Sequence, residues 1–496
     1  MKRTHCIAIA ALALGVLAAV SSVQAQTKKV SYAITELPLL ASSDTSAADS
    51  INNSGQIVGR GYPTGDERWH TCIWEKVDGQ WTVRDVGSYE YYDHADAGKI
   101  NDLGQVTGFT QMDAPRRAFF YDDLIGFETL PTLEGLDTFA YALNNLGMIC
   151  GSSANGDLQN ATLWEAGDGG AWTVTSLAEV FAPLRGIYSY LMDINDAQQI
   201  VGNSRSNASS TDYRAHVWER NVVGEWTMTD LSGNLPLAGA INEVGQIAGT
   251  HAVNGTRHAC VWNPVDGTWS LTDLSAFATE FTKTTAEDLN DWGQIVGRGW
   301  LASGSVVPYL YVGGSMQNLN VFLPNGSGWS LASGYGINNQ GQVIGNGYSP
   351  SGSYRAFLMD TRAVTYSYTS TGSAVSIKDK STASKAMTLT DNVTITDLNV
   401  KVTLYHTRYT DLQFDLVGPN NVTRRLCNAG AVTGSGTKTL VFDDEGAVGA
   451  IVPVNPLSYY DGTSTVGKWT LKITDTVKNL KTGSFTSFTL DVMPQL

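Results

Sequence analysis

Cysteine, histidine and positive charge are the scarce commodities of this 496-residue chain: five cysteines, seven histidines, and 32 Lys and Arg against 47 Asp and Glu. A formal charge of −15 argues against nucleic acid and anionic membranes as partners, because both demand a basic surface. Long apolar runs are missing beyond the first 25 residues, and that first run is too short for a span of roughly 20 residues. No G-x-S-x-G elbow, H-E-x-x-H helix or phosphate-binding glycine loop occurs, which removes the common signatures of hydrolases, zinc proteases and nucleotide enzymes. Residues 1–25 instead read as a signal peptide, with Lys2 and Arg3 before the apolar run Ile7 to Val20 and small residues at Val23 and Ala25. The mature chain is expected to begin near Gln26, to be periplasmic or extracellular, and to be a monomer with no membrane span.

Glycine and aromatics are abundant, with 51 Gly, 21 Tyr and 13 Trp. This balance suits strands joined by many turns. The segment INNSGQIVG at 51–59 recurs as INDLGQVTG at 100, LNNLGMICG at 143, INDAQQIVG at 194, INEVGQIAG at 241, LNDWGQIVG at 289 and INNQGQVIG at 337. Each copy is a tight turn between two strands, since Asn and Asp bond their own main chain and Gly accepts positive φ. Gln198 replaces the turn glycine in the fourth copy, which predicts a different or mildly strained turn there. The second glycine, at 59, 108, 151, 202, 249, 297 and 345, never varies, which predicts a close backbone approach or a bulge.

A strand ending at Trp74, Tyr121, Trp164, Trp218, Trp262, Tyr311 or Met359 follows each motif. A third, alternating block follows six of these, from Trp81, Phe127, Trp172, Trp226, Trp269 and Met316. The seventh lies at the other end of the chain, where YAITEL from Tyr32 to Leu37 precedes the first turn. Counting the segment before each asparagine as a strand gives seven four-stranded blades, closed by the N-terminal strand. The chain is thus expected to be all-β, with a seven-bladed β-propeller over 26–362, because radial repetition hides sheet edges. Cys72, Cys150 and Cys260 fill apolar repeat positions and are expected to stay unbridged. RAFFY at 117–121, RHACVW at 257–262 and RAFLM at 355–359 resemble the extracellular repeats named for a His-Ala-Phe tripeptide, over residues 31–361. That resemblance implies a propeller and no assigned chemistry.

From about Thr365 the repeat gives way to strands of a sandwich. His406 to Leu426 (HTRYTDLQFDLVGPNNVTRRL), FDDEG at 442–446, PVNPLSYYDG at 453–462, GKWTLKITD at 467–475 and TGSFTSFTLDV at 482–492 resemble the P domain, also called Homo B. The resemblance implies a jelly-roll-like β-sandwich over 363–496, a type found beside subtilisin-like proprotein convertases and on secreted bacterial proteins. Departures are modest: Lys468 precedes the tryptophan and Phe488 replaces a late tryptophan. Upstream, where a convertase carries its Asp, His and Ser, this chain carries the repeats, so no catalytic residue is assigned. Asp411, Asp443, Asp444 and Asp475 supply hard oxygen donors of the kind calcium takes. His70 and His258 share a repeat position with Arg117, Arg214 and Arg355, which predicts a structural contact with a carboxylate or carbonyl. Trp69, Trp292 and Trp300 lie in loops and turns, where propellers bind sugars or peptides.

The function expected from these features is non-enzymatic recognition or adhesion toward an extracellular protein or glycan. Two rivals are an enzyme, hydrolytic or glycan-active, and an accessory factor of a separate peptidase. Acids from different blades meeting at one channel mouth with shifted pKa values would favour the enzyme.

Overall fold

The computed structural model describes residues 26–494 apart from 41–44, 64–67, 88–93, 112–114, 134–136, 156–157, 168–169, 181–187 and 447–448. The signal peptide lies outside the described residues. The chain divides into two compact units, one over Val30–Val364 and one built mainly from Thr365–Leu496.

In the first unit, antiparallel four-stranded sheets repeat along the chain. The first blade runs through Ser46–Ile51, Ile57–Gly61, His70–Val77 and Gln80–Gly87, paired in sequence order. The same order recurs over 94–129, 137–176, 188–230, 237–273 and 281–318. The seventh blade takes Ser330–Ile337, Gln342–Tyr348 and the start of Tyr354–Ser370 from the end of the array, and its outer strand, Gln26–Glu36, from the beginning. The Leu37 amide donates to the Ala356 carbonyl at 3.2 Å. Seven blades close through the chain's two ends, as the count of third blocks predicts.

Each second glycine lies where an added Cβ would sit 1.9 to 2.3 Å from a carbonyl oxygen of the blade's first strand. The cause is a bulge that recurs in every first strand, for example between Ala48 and Ser50 or between Leu191 and Asp193, directly across from the glycine. Both sequence expectations, close approach and bulge, hold together. Of the two outcomes expected at Gln198, mild strain is the one found: its amide reaches the Asn195 carbonyl at 3.1 Å as the turn glycines do, with φ at 60°. The turn is unchanged, and glutamine accepts a left-handed backbone at a cost of about 1 kcal/mol. Cys72, Cys150, Cys260 and Cys427 are all free and buried.

The motif asparagines do more than shape turns. Asn52 donates through Nδ2 to the Asn101 carbonyl, Asn101 to Asn144, Asn144 to Asn195, Asn195 to Asn242, Asn242 to Asn290, Asn290 to Asn338, and Asn338 back to Asn52, all at 2.9 to 3.1 Å. This is a closed ring of seven. Each Oδ1 meanwhile accepts the amide four residues on, at 2.8 to 3.0 Å. All seven side chains are buried, so each amide must be satisfied by protein.

The second unit is a sandwich of two antiparallel sheets. One holds Thr382–Leu389, Gly467–Asp475, Leu412–Val417 and Thr423–Cys427, and the other pairs Gly483–Pro494 with Ile395–His406, which in turn pairs Gly436–Phe442. Alternation along Gly467–Asp475 turns Trp469, Leu471 and Ile473 inward and leaves Lys468 outside. Phe488 is fully buried, so it fills the place of the expected tryptophan.

Replacing Asn195 by Ala should lower stability by about 2–4 kcal/mol, since it strands the Asn242 carbonyl and the Gln199 amide in a dry place. Urea unfolding measures this. A loss below about 1 kcal/mol would mean that the ring bonds carry little.

Candidate functional site

Two mouths of the ring differ in chemistry, and the strands explain why. The first strand of each blade ends at the asparagine turn, so residues about six positions earlier lie roughly 20 Å away at the other end. At the turn mouth, a second ring follows the first. The backbone amide of Asn53, Asp102, Asn145, Asp196, Glu243, Asp291 and Asn339 each meets the side-chain oxygen of the next blade's counterpart, at 2.7 to 3.0 Å, the last closing on Asn53. Partial burial first, and then the carboxylates of Asp196, Asp291 and Asp193, push the Glu243 carboxyl up to about 7. Trp292 stands exposed at this mouth, its indole N–H on the Asn339 carbonyl at 3.1 Å.

Inside the ring two cations bridge blades. Lys99 of the second blade reaches Asp193 of the fourth at 2.9 Å and Asp288 of the sixth at 3.6 Å. Burial alone would lower its ammonium, but the two carboxylates hold it above its ordinary value. Arg60 bridges Asp49 of its own blade and Asp96 of the next. Burial lifts the Asp49 carboxyl to about 7 despite Arg60, with Asp96 adding to the rise. A cavity of about 130 Å³ at the turn end is lined by Lys99, Asp193, Asp288 and the motif asparagines.

The far mouth is aromatic and basic. Phe109, Phe139 and Tyr141 pack together, with Phe109 and Phe139 at 5.1 Å and Arg116 5.6 Å above Phe139. Next along the ring, Tyr188 and Tyr190 lie 6.1 Å apart, and Arg205 stacks on Tyr188 at 4.4 Å. Lys283 and Arg298 flank Trp300, at 4.3 and 6.0 Å, and Arg60 lies 5.8 Å from Trp69. Trp69 and Trp300, singled out in the sequence, therefore belong to this mouth, and Trp292 to the other. Connections between blades emerge here, together with the loops after the second strands. The aromatic cluster itself was not legible, because its members occupy different repeat positions in blades two to four.

One constellation escaped sequence reading altogether. Ser204 Oγ lies 2.7 Å from His216 Nε2, and His216 Nδ1 lies 2.8 Å from Asp230 Oδ1. The connectivity is that of a serine hydrolase triad. Ser204 is 1% and His216 2% exposed, however, so no carbonyl carbon can approach the hydroxyl. Burial also lowers the imidazole pKa against the pull of Asp230. In the third blade the same cross-strand position is filled by Thr162 and Ser153, bonded at 3.0 Å. The trio is a packed variant of a repeat contact.

The predicted contact at the basic repeat position is seen in His70 with Asp85 at 2.9 Å and in Arg355 with Glu36 at 3.2 Å. The four aspartates named as possible calcium donors fall into two groups. Asp411 and Asp475 sit beside His406, with Asp475 Oδ2 3.6 Å from His406 Nε2 and Asp411 bound by Asn479 and Arg408. Asp443 and Asp444 follow Phe442, whose partner Val400 is six residues from His406 along one strand, roughly 20 Å away. Asp444 instead joins Asp397 and Glu445, whose oxygens come within 4.8 Å of one another. Burial and neighbouring carboxylates raise the Asp397 carboxyl.

Residues 395–492 match the family model of the proprotein convertase P-domain. No curated protein matches the chain. Among solved structures it is similar to TolB from Acinetobacter baumannii, at 12% identity and a TM-score of 0.36, over 62% of this chain and 64% of that one. Virginiamycin B lyase from Staphylococcus aureus aligns at 10% identity and a TM-score of 0.39, over 67% of this chain and 99% of that one. A serine protease of Aeromonas sobria aligns at 16% identity and a TM-score of 0.19, over 45% and 39%. Scores this low carry no argument, and the blade count rests on the strand pairings above.

Because Asp49 is lifted from 3.8 to about 7 on folding, the native state holds its proton between those values while the unfolded chain releases it. Stability from this group is present below about pH 4 and is lost as pH rises through about 7. Asp49→Asn should remove that loss, so the variant gains on the native chain between pH 5 and pH 8 in urea midpoints; parallel profiles would refute the assignment. The chain thus carries a proprotein convertase P-domain at its C-terminus, behind repeated four-stranded sheets closed into a propeller.

Proposed function

We propose that this is an exported, non-enzymatic recognition or adhesion protein, built on repeats of the His-Ala-Phe type, that binds an extracellular protein or glycan at the aromatic and basic mouth of its propeller. The P-domain serves as a stabilising or docking module. The observation that carries this reading is the far mouth: aromatic faces and cations from several blades converge where the variable loops emerge. Rigid strands hold them in place, which lowers the ordering cost of binding. Calcium belongs in the proposal at Asp397, Asp444 and Glu445, where the acids crowd together and a divalent cation would offset their repulsion.

The hydrolase reading keeps two specific observations in its favour: acids of several blades with raised pKa values inside the ring, and the Ser204, His216 and Asp230 trio. Both are weakened by their partners. Each channel acid pair is bridged by a cation, and the serine is sealed.

Purified protein should turn over neither casein, fluorogenic peptides nor glycan substrates, with or without calcium, and should bind a subset of an extracellular protein and glycan array. Turnover abolished by Ser204→Ala or Asp49→Asn would overturn the non-enzymatic reading. Array binding that survives in the triple variant Arg205→Gln, Arg257→Gln, Trp300→Ala would move the platform away from this mouth.

A further inference from the structure

Part of the far mouth's positive charge has no carboxylate partner among the described residues, in a chain that is strongly acidic overall. Arg60 and Arg298 have carboxylate partners, Asp96 and Glu287. Arg205 and Arg257 have none among the described residues. Arg205 donates through Nη1 to the Tyr213 hydroxyl at 2.8 Å, while its buried Nε has no partner. Arg257 donates to the Leu235 carbonyl at 3.1 Å. The two guanidiniums lie 5.3 and 5.1 Å from the ring of Tyr213, so that one tyrosine is shared by a cation of the fourth blade and a cation of the fifth. Asp212, next to Tyr213, turns its carboxylate to Ser206 and Ser210 instead.

Around this pair stand Tyr188 and Tyr190. Burial, and then Tyr213, Tyr188 and Tyr141 nearby, push the Tyr190 hydroxyl up to about 12 even with Arg205 beside it. Tyr190 is therefore a neutral phenol at physiological pH, able to donate and accept. The cluster thus offers two forked cations for one planar anion, several flat faces, and hydroxyls at their rims.

On these grounds we infer that Arg205 and Arg257, with Tyr188, Tyr190 and Tyr213, form a subsite for a sugar acid, the carboxylate-bearing unit of an acidic oligosaccharide. The inference rests on the binding-platform reading and sharpens it to a ligand class. A guanidinium fork matches a carboxylate in plane and charge, which a lysine does not. Tyrosine faces suit the C–H face of a pyranose, and their hydroxyls match its hydroxyl groups. A peptide is the poorer fit. Extended peptides add to open sheet edges, but the strand that bears Arg205, Ile200–Arg205, is paired on both sides, with Tyr188–Ile194 and with Arg214–Arg220.

The test is calorimetric titration of the full mature chain with trigalacturonate, its methyl ester, neutral trigalactose and a Glu-rich hexapeptide. Trigalacturonate should bind at least about tenfold more tightly than the ester or neutral sugar, which is what loss of about one charge-assisted contact removes. Added salt should weaken it. Arg205→Gln should lose that preference, Arg205→Lys should restore only part of it, and Arg257→Gln gives the same readout should the first variant fail to fold. Arg424→Gln, in the sandwich, should change nothing. Equal binding of the charged and neutral sugars, no binding of trigalacturonate, or indifference to both arginine variants would overturn the sugar-acid assignment. Preference for the hexapeptide would overturn it too while leaving the platform reading intact; that reading falls separately, if nothing on the array depends on this mouth.

Discussion

A buried asparagine amide has two donors and an acceptor to satisfy, and seven of them in this molecule do so by reaching into the next blade. The bond from each Nδ2 to the neighbouring asparagine's carbonyl fixes the distance and rotation between blades at the point where they crowd most. Because Oδ1 of the same side chain holds its own turn, turn geometry and blade spacing are set by one residue. The second ring of backbone amides and side-chain oxygens repeats the device one residue later. Seven is then the number at which the last asparagine, Asn338, finds the first, Asn52, at 3.0 Å. The invariant glycines follow from the same crowding, since bulged first strands leave no room for a Cβ across from them.

Much of this was legible in residues. The Asn-Gly turns, the tryptophan strands and the displaced third block gave the blade number and the closure by the N-terminal strand, because each is a local pattern repeated seven times. The rings were not, since a side chain bonding a carbonyl 43 to 51 residues away leaves no local mark. At Gln198 the expected mild strain is what the structure shows: neighbouring blades hold Asn195 from both sides, which imposes the turn on a residue that would not choose it. The Ser204, His216 and Asp230 trio and the tyrosine cluster arise from cross-strand register, and residues so far apart in sequence meet without a motif. In the sandwich, family resemblance identified the domain, but the placement of its aspartates was not legible, because proximity in motif order is not proximity across a sheet.

The proposed binding role rests on asymmetry between the two mouths. The turn mouth spends its polar groups on one another, and the channel carboxylates spend theirs on Lys99 and Arg60, so little of either is left for a ligand. The far mouth has loops that vary between blades and two arginines, Arg205 and Arg257, without carboxylate partners among the described residues. The P-domain has a fully buried core of its own, from Phe414 to Trp469 and Phe488.

The central claim is that the asparagine ring makes seven blades into one cooperative body. Native-state hydrogen exchange of the turn amides bound to asparagine oxygens, those of Gln56, Gln105, Met148, Gln199, Gln246, Gln294 and Gln342, tests it most directly. The account predicts that all seven exchange slowly and with one common free energy, the seam between the seventh and first blades included. Fast exchange of Gln342 and Gln56 alone, with the other five protected, would show an array that opens at its seam and would contradict it.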